Sequence, residues 1–172
     1  MEVAVRLVTQ QDAPRLTQLL VENREFLAPW DPERGEEYFT EETQRRLLAD
    51  ALLRHGQDRA LPLVVLADGA VVGRVNVNDI VRGPFLSGHL GYWVARSVTG
   101  RGVATAAVTA TVELAFGELG LHRLQAGTLV HNHASRRVLS RCGFQLIGLA
   151  PRYLQIAGRW QDHLLHQRLA EP

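Results

Sequence analysis

The strongest constraint on the fold lies just past the middle of the chain. There an apolar segment ending at Ala95 runs into a loop with two glycines, and the loop opens into a helical pattern that begins at Val103. A helix start leaves several backbone N–H groups unpaired, and the helix dipole makes that end partly positive. Because Gly100 and Gly102 have no Cβ, a phosphate can approach those amides closely, and Arg101 adds a side-chain donor. The segment predicts a site for a phosphorylated cofactor.

Two familiar phosphate-binding motifs do not fit this loop. A P-loop requires a lysine after its last glycine, and none is present here. A Rossmann fingerprint stands near the first strand of a repeated βαβ pattern, with an acidic residue about twenty positions further on. Here the segment Glu118–Arg123 belongs to a helix end rather than to a strand tip. An ordinary strand–helix connection, with glycines for a tight turn, is the alternative interpretation.

Composition places further limits on what the chain can be. Its 172 residues, 46% apolar and 22% charged, predict one globular domain over residues 1–172. The net charge is +1 and the arginines are scattered, which argues against direct binding of nucleic acid. The single cysteine, Cys142, fits a reducing compartment. No apolar stretch reaches membrane-spanning length and residues 1–9 lack a signal-peptide core, so we expect a cytoplasmic protein with no membrane partner.

The hydrophobic pattern predicts an α+β fold with a mixed sheet, in the order β-α-α-β-β-β-α-β-α-β-β. Asp12 is predicted to cap the first helix and Thr40 the second. Asp68-Gly69 is a strong hairpin signal between two strands. A long, largely polar connection over residues 23–39 carries several aromatic side chains. The chain is expected to finish with two or three strands, over residues 144–150, 153–157 and 160–169.

Two motifs resemble those of the GNAT acetyltransferase superfamily, as does the order of elements. The first is Thr99-Gly100-Arg101-Gly102-Val103-Ala104, which matches the pyrophosphate loop except that threonine replaces the usual arginine or glutamine. The second is an asparagine, Asn132, followed by a helix that ends in Gly143-Phe144. The resemblance implies a predominantly antiparallel, twisted sheet of about seven strands flanked by about four helices. It also implies acetyl-CoA as the acetyl donor.

A closer resemblance to the ribosomal-protein-alanine N-acetyltransferases covers nearly the whole chain. It rests on the segments at residues 22–30, 78–83, 90–92 and 158–163. Members of that family acetylate the α-amine of a ribosomal protein, so the resemblance implies a peptide or protein N-terminus as acceptor. Other relatives with the same signatures act on antibiotics or free amino acids. A small-molecule amine is therefore the alternative acceptor.

The resemblance also implies which residues hold acetyl-CoA. Its pantetheine arm would run along the strand at Trp93, Val94 and Ala95, and the Val94 N–H would polarise the thioester carbonyl. Its pyrophosphate would lie on the start of the following helix, and the second motif would add contacts. The residues concerned are Arg101, Gly102, Val103, Ala104, Thr105, Asn132, Ser135 and Arg137. Ser135 is the expected general acid for the departing thiolate; alternatively, it only satisfies free amides in the first turn of its helix.

The acceptor side is less sharply defined by the sequence. Phe26, Trp30, Asn78 and Tyr92 are expected to line it, the alternative for Phe26 and Trp30 being burial in a satellite of the core. No general base is assigned: Asp79, His89, Glu36 and a chain of waters are all open. Related enzymes often have a glutamate at the end of the central strand, whereas this chain reads Ala95-Arg96-Ser97. That difference favours the second alternative function, a non-catalytic domain that binds coenzyme A.

Two histidine pairs suggest a metal site, but neither has a complete ligand set. His131 and His133 lie in the loop of the second motif, and His163 and His166 fall on both faces of one strand. Because no cysteine or carboxylate completes either set, we expect no metal. The sequence leaves open whether a homodimer forms through the C-terminal strands.

Overall fold

The computed structural model describes residues 1–171 as a single seven-stranded sheet with five α-helices. The strands are β1 Val3–Leu7, β2 Leu61–Ala67, β3 Ala70–Val81, β4 Ser87–Val94, β5 Arg123–Leu129, β6 Gln145–Ile156 and β7 Arg159–Leu169. The helices are α1 Ala13–Glu22, α2 Arg24–Leu27, α3 Glu41–Gly56, α4 Val103–Gly117 and α5 His133–Arg141. The α+β prediction is confirmed, with one-turn α2 as the additional helix.

The strand order across the sheet is β1-β2-β3-β4-β5-β7-β6. Every neighbouring pair is antiparallel except β4 and β5, which are parallel, so the sheet is mixed and mostly antiparallel. The predicted hairpin between β2 and β3 is present. Asp68 and Gly69 at its tip both have positive φ, 47° and 82°, as a two-residue hairpin turn of the primed type requires.

The core is built on both faces of the sheet. All residues of β2 except Leu66 are buried, whichever face they point to, because helices cover both sides. α4 supplies much of the apolar contact on one side. Its buried positions are occupied mostly by valine and alanine, small side chains that let the helix approach the strands closely; they are Val103, Ala107, Val108, Val112 and Ala115.

α4 is also the most apolar of the longer helices, yet it is only 15 residues long. Its apolar character is explained by packing against β1, β3 and β4. Among residues 1–171, no helix combines the length and apolar character needed to cross a membrane.

The predicted cap of α1 is wrong in its detail, although the predicted cap of α3 is confirmed. Thr40 Oγ1 accepts a hydrogen bond from the Thr43 amide at 3.3 Å. Asp12, by contrast, makes no cap bond to α1, because residues 10–12 already form a 3₁₀ turn and its carboxylate faces backwards. There it accepts from the Thr9 amide at 2.8 Å and from both terminal nitrogens of Arg6 at 2.7 and 2.8 Å.

The C-terminal part of the sheet has two strands, the smaller of the two numbers that the sequence left open. The segments considered over 144–150 and 153–157 join in one long strand, β6, with an irregular pairing between Ala150 and Leu154. Arg152 in this bulge has a φ of 48°, and its amide donates to Asp162 Oδ1 of β7 at 2.8 Å. The bulge keeps β6 paired with β7 on both sides, so the chain does not leave the sheet.

The Arg6–Asp12 pair provides a test of the fold. Asp12 is buried and Arg6 is partly exposed, and the hydrogen bond from Arg6 holds the pKa of the Asp12 carboxyl below its ordinary value. We expect Asp12→Asn to lower the free energy of unfolding at pH 7 by about 2 kcal/mol. Because the folded-state pKa is lowered, the contribution is present above about pH 4 and is lost as the pH falls through the folded-state pKa.

Urea unfolding at pH 7 and at about pH 3 measures this difference, which should shrink in acid. Asp58→Asn is the matched control, because Asp58 forms an exposed ion pair with Arg82 and should contribute little. Equal effects of the two substitutions at pH 7 would contradict the prediction.

Candidate active site

A cleft opens in the middle of the sheet where its two parallel strands separate. β4 and β5 pair at only three positions, Ser87 with Arg123, Gly88 with Leu124 and His89 with Gln125. Beyond these positions, β4 continues to Val94 and β5 continues to Leu129, but the two strands no longer pair with each other. The backbone edge of β4 beyond residue 89 therefore faces the cleft and can pair with an extended ligand.

Strand geometry identifies which backbone groups of β4 face this cleft. The Ala95 amide donates to the Val72 carbonyl of β3 at 2.8 Å. Successive residues of a strand direct their N–H groups to opposite sides, so the Val94 amide points away from β3. It faces the cleft between β4 and β5, as does the amide of Tyr92. This geometry supports the predicted role of the Val94 N–H toward a thioester carbonyl.

The glycine loop joins the end of β4 to α4. Gly100 and Gly102 have φ values of 74° and 81°, in the left-handed region, and nothing lies within 4 Å of where a Cβ would stand on either. The first helical hydrogen bond runs from the Ala106 amide to the Gly102 carbonyl at 2.9 Å. The amides of the three preceding helical residues, Val103, Ala104 and Thr105, have no such intrahelical partner. The loop therefore offers an open, donor-rich surface beside the cleft, with Arg101 exposed at its tip.

Thr99, the departure from the usual motif, is occupied within its own turn. Its hydroxyl donates to the Arg96 carbonyl at 2.8 Å. It therefore stabilises the 3₁₀ turn Arg96–Val98 instead of offering a free donor at the loop. Arg101 remains the exposed cationic side chain at this position.

The second motif forms α5, on the β5 side of the cleft. Asn132 is the N-cap, and its Oδ1 accepts from the Ser135 amide at 3.1 Å. Asn132 performs the capping, and the hydroxyl of Ser135 bonds Tyr92 rather than an amide of the first turn. The Ser135 Oγ lies 2.7 Å from the Tyr92 hydroxyl, which is 3.2 Å from the Ser135 carbonyl. Arg137 is exposed on the same helix.

Tyr92 and Ser135 thus form a pair of hydroxyls that joins β4 to α5 across the cleft. Burial raises the pKa of Tyr92 to about 12, with the Ser135 hydrogen bond opposing the shift. The phenol is therefore protonated at neutral pH and can donate a proton but does not act as a base. Both residues were predicted to belong to the site, but their contact with each other was not.

Residues 23–39, which we call the mouth segment, lie across the open end of the cleft. The Asn23 Oδ1 accepts from the Arg96 amide, just after β4, at 2.8 Å. The Trp30 ring lies 5.6 Å from the ring of His131, just after β5. The segment therefore contacts both strand ends. Its third anchor is the Asp31 carbonyl, which accepts from the Ala157 amide in the β6–β7 turn at 2.9 Å.

A cavity of about 390 Å³ lies against the mouth segment. It combines apolar walls with charged groups and is lined by Leu20, Arg24, Leu27, Ala28, Asp31, Pro32, Glu33, Arg34, Tyr38, Phe39 and Ala157. Neither Phe26 nor Trp30 is among these residues. Trp30 instead packs on His131 beside the cavity, and Phe26 is half-buried on α2. The predicted acceptor region therefore contains a cavity, but the walls of this cavity are formed by residues other than Phe26 and Trp30.

Asn78 and the three candidate bases do not line this cavity. Asn78 pairs with His89, where β4 and β5 are still joined, about 17 Å along the strand from Val94. Asp79 is exposed beside it, and the His89 Nδ1 is buried without a hydrogen-bond partner. Glu36 is exposed and forms an ion pair with Arg24.

The cavity does contain a carboxylate that was not predicted from the sequence, that of Asp31. It follows Trp30 directly in the mouth segment, and burial raises the pKa of its carboxyl, with the charge of Arg34 opposing the shift. The only sequence signal was an acidic residue after the one tryptophan of this long connection.

One histidine of each pair has another contact in the structure. Within residues 1–171, no group of three or more His, Cys, Asp or Glu side chains is placed to hold a metal ion. His131 stacks on Trp30, and the Nδ1 of buried His163 lies 2.9 Å from the Gln161 carbonyl.

Comparisons with known proteins agree with this geometry. Residues 2–145 match the family described as the acetyltransferase (GNAT) domain. The chain is 34% identical over 165 residues to the [ribosomal protein uS5]-alanine N-acetyltransferase of Escherichia coli, covering 95% of this chain and 85% of that protein. It superposes on the ribosomal-protein-S5-alanine acetyltransferase from Vibrio fischeri with a TM-score of 0.93, at 33% identity and covering 98% and 93% of the two chains. It superposes on Mycobacterium smegmatis RimJ in complex with CoA-disulfide with a TM-score of 0.95, at 33% identity and covering 98% of this chain and 82% of that chain.

The left-handed conformation of Gly102 provides a test of the loop. We expect Gly102→Ala to lower the free energy of unfolding by about 1 kcal/mol, because an alanine at this φ is strained. The same strain should displace the loop amides and weaken CoA binding about tenfold. Urea unfolding and isothermal titration calorimetry with CoA measure the two effects.

Gly117→Ala, at the other end of α4, is the matched control. Gly117 has a helical backbone with open space where a Cβ would stand, so alanine there should raise stability by about 0.5–1 kcal/mol and leave CoA affinity unchanged. Unchanged CoA affinity in Gly102→Ala would count against the loop as the phosphate site.

Proposed function

Because this chain belongs to the GNAT acetyltransferase family, and is thus an acetyl-CoA-dependent N-acetyltransferase, we propose that its acceptor is the N-terminal α-amine of a protein. The cavity at the mouth of the cleft is the observation that carries the proposal. Arg24, Glu33 and Arg34 on its rim are exposed, so it opens to solvent and leaves room for a chain to continue outward. Relatives named as ribosomal-protein-alanine N-acetyltransferases support a ribosomal protein as that acceptor.

The chemistry of the amine supports an α-amine over a lysine side chain. An α-amine has a pKa of about 7.7–8.0, whereas lysine has one of about 10.4. At neutral pH the neutral, nucleophilic fraction of an α-amine is therefore a few hundred times larger. An enzyme without a strongly basic group at the end of β4 acts more readily on the α-amine.

In the proposed reaction, the cleft positions the thioester and the hydroxyl pair completes the transfer. The amine nitrogen attacks the thioester carbonyl carbon while the Val94 amide stabilises the developing oxyanion. This attack forms the N–C bond of the product amide, and the C–S bond of the thioester then breaks. The departing thiolate takes a proton from Ser135, whose hydroxyl contacts Tyr92, and the proton that the nitrogen loses restores the Ser135 hydroxyl.

We also propose a cellular location and an oligomeric state for the enzyme. It works in the cytoplasm, which fits the one free cysteine, Cys142. It forms a homodimer through the edge strand β6, and the support for this is a row of exposed apolar side chains. They are Leu146, Ile147, Leu149 and Leu154.

The acceptor proposal is tested with a panel of amines and acetyl-CoA. We expect acetylation of peptides with a free N-terminal alanine, and none of the same peptides blocked at that end. Lysine-only peptides and amine antibiotics should remain unmodified. Mass spectrometry of the products measures this; transfer confined to small amines would overturn the protein α-amine proposal and leave the acetyltransferase assignment intact.

The role of Ser135 is tested by Ser135→Ala. We expect kcat to fall about 10- to 100-fold, because the thiolate loses its proton donor, while the KM for acetyl-CoA changes little. Tyr92→Phe should also lower kcat, because it removes the hydroxyl partner of Ser135.

Ser140→Ala is the control on the same helix, since Ser140 is exposed on α5 and its side chain makes no hydrogen bond within residues 1–171. Steady-state assays of thiol release measure all three variants. If Ser135→Ala retains the kcat of the unmodified enzyme, Ser135 is not the acid.

A further inference from the structure

The carboxylate of Asp31 lines the mouth cavity. Within residues 1–171 no group donates a hydrogen bond to it, and only the charge of Arg34 acts on it. Its backbone carbonyl, by contrast, is engaged by the Ala157 amide. A half-buried carboxylate without donors is unfavourable unless a cation or donor reaches it from the cavity.

The neighbouring charged groups are already engaged elsewhere. Arg34 acts on Asp31 only through its charge, and its guanidinium stacks on the Tyr38 ring at 4.5 Å from the centroid. Arg24 forms an ion pair with Glu36 and lies 4.3 Å from the centroid of the Phe39 ring. Among the carboxylates of the cavity, Glu33 is exposed on the rim, whereas Asp31 is half-buried.

The position of Asp31 relates this carboxylate to the reaction. It directly follows Trp30, whose ring packs on His131 at the end of β5. The same segment is fixed to the end of β4 by the bond between Asn23 and the Arg96 amide. Asp31 is therefore held across the open end of the cleft.

Building on the proposed function, we propose that the Asp31 carboxylate binds the α-ammonium group of the acceptor and takes one proton from it. The ammonium supplies the cation that this carboxylate lacks in the protein. Transfer of one proton leaves a neutral amine and a neutral carboxylic acid. The amine then attacks the thioester carbonyl, the C–S bond breaks, and Ser135 protonates the sulfur. The nitrogen loses its second proton to the Ser135 oxygen, which restores the hydroxyl, so one proton remains on Asp31 and passes to solvent after the reaction.

Burial makes Asp31 better suited to this step than an exposed carboxylate. Desolvation raises the pKa of its carboxyl and brings it nearer to that of an α-ammonium, so the proton transfer is less uphill. The groups that face it are Arg34, Glu33 and Tyr38, with Arg24 further along the wall. The pKa of Tyr38 is itself raised by burial, so Tyr38 does not compete as a base.

The test compares Asp31→Asn, Asp31→Glu and Asp58→Asn in the full-length protein, with an N-terminal alanine peptide and acetyl-CoA. Asp58 is the matched control, an exposed carboxylate paired with Arg82 beside the β3–β4 turn. We expect Asp31→Asn to lower kcat/KM for the peptide about 100-fold. CoA affinity, measured by calorimetry, should stay within about twofold, and Asp31→Glu should recover much of the activity.

The pH profile separates this role from a structural one. Without the Asp31 carboxylate, the enzyme depends on amine that is already neutral in solution. The activity of Asp31→Asn should therefore rise with pH up to the pKa of a free α-ammonium, about 8. The unmodified enzyme should reach its plateau at lower pH.

The outcomes separate this inference from the proposed function. Asp31→Asn with peptide activity within threefold of the unmodified enzyme, or with an unshifted pH profile, would overturn the role of Asp31 alone. An unmodified enzyme that acetylates only small amines would overturn the protein acceptor. In that case the same variants, assayed with those amines, decide whether Asp31 binds their ammonium group.

Discussion

The separation of β4 from β5 beyond their three paired positions is the constraint on which the rest of the site depends. Three paired positions hold the two strands together at one end, and beyond them the backbone edge of β4 is free. In an otherwise continuous sheet this edge would be satisfied by a neighbouring strand. Here the unsatisfied groups form the surface on which an extended ligand can lie. The Val94 amide, the glycine loop and α5 all take their positions from the strand ends that this separation exposes.

The open end of the cleft is closed by tertiary contacts of the mouth segment. Asn23 bonds the backbone after β4, Trp30 packs on His131 after β5, and the Asp31 carbonyl bonds the β6–β7 turn. None of these contacts belongs to regular secondary structure. They fix a largely polar connection against three separate parts of the sheet, and in doing so they create the cavity with its half-buried carboxylate.

The elements and the family were predictable because their signals are local. Alternation and helical periodicity identified the strands and helices, and the two motifs identified the GNAT family and its acetyl donor, both now confirmed. An error arose where a local signal had a competing partner: Asp12 resembles a helix cap, but Arg6 and Thr9 occupy its carboxylate. The sequence left open whether residues 151 and 152 separate two strands, and the hydrogen bond from the Arg152 amide to Asp162 holds them as a bulge within β6.

The sequence by itself determined the fold class, the glycine loop and the helix that follows Asn132, because each depends on residues close together in the chain. The tertiary structure decided which side chains meet. Tyr92 and Ser135 are 43 residues apart in sequence, yet their hydroxyls lie 2.7 Å apart because β4 and α5 flank the same cleft. Asp31 became a candidate only when folding removed it from water without giving it a donor. Burial and long-range contact are properties of the packed chain, and a pattern of residue types does not encode them locally.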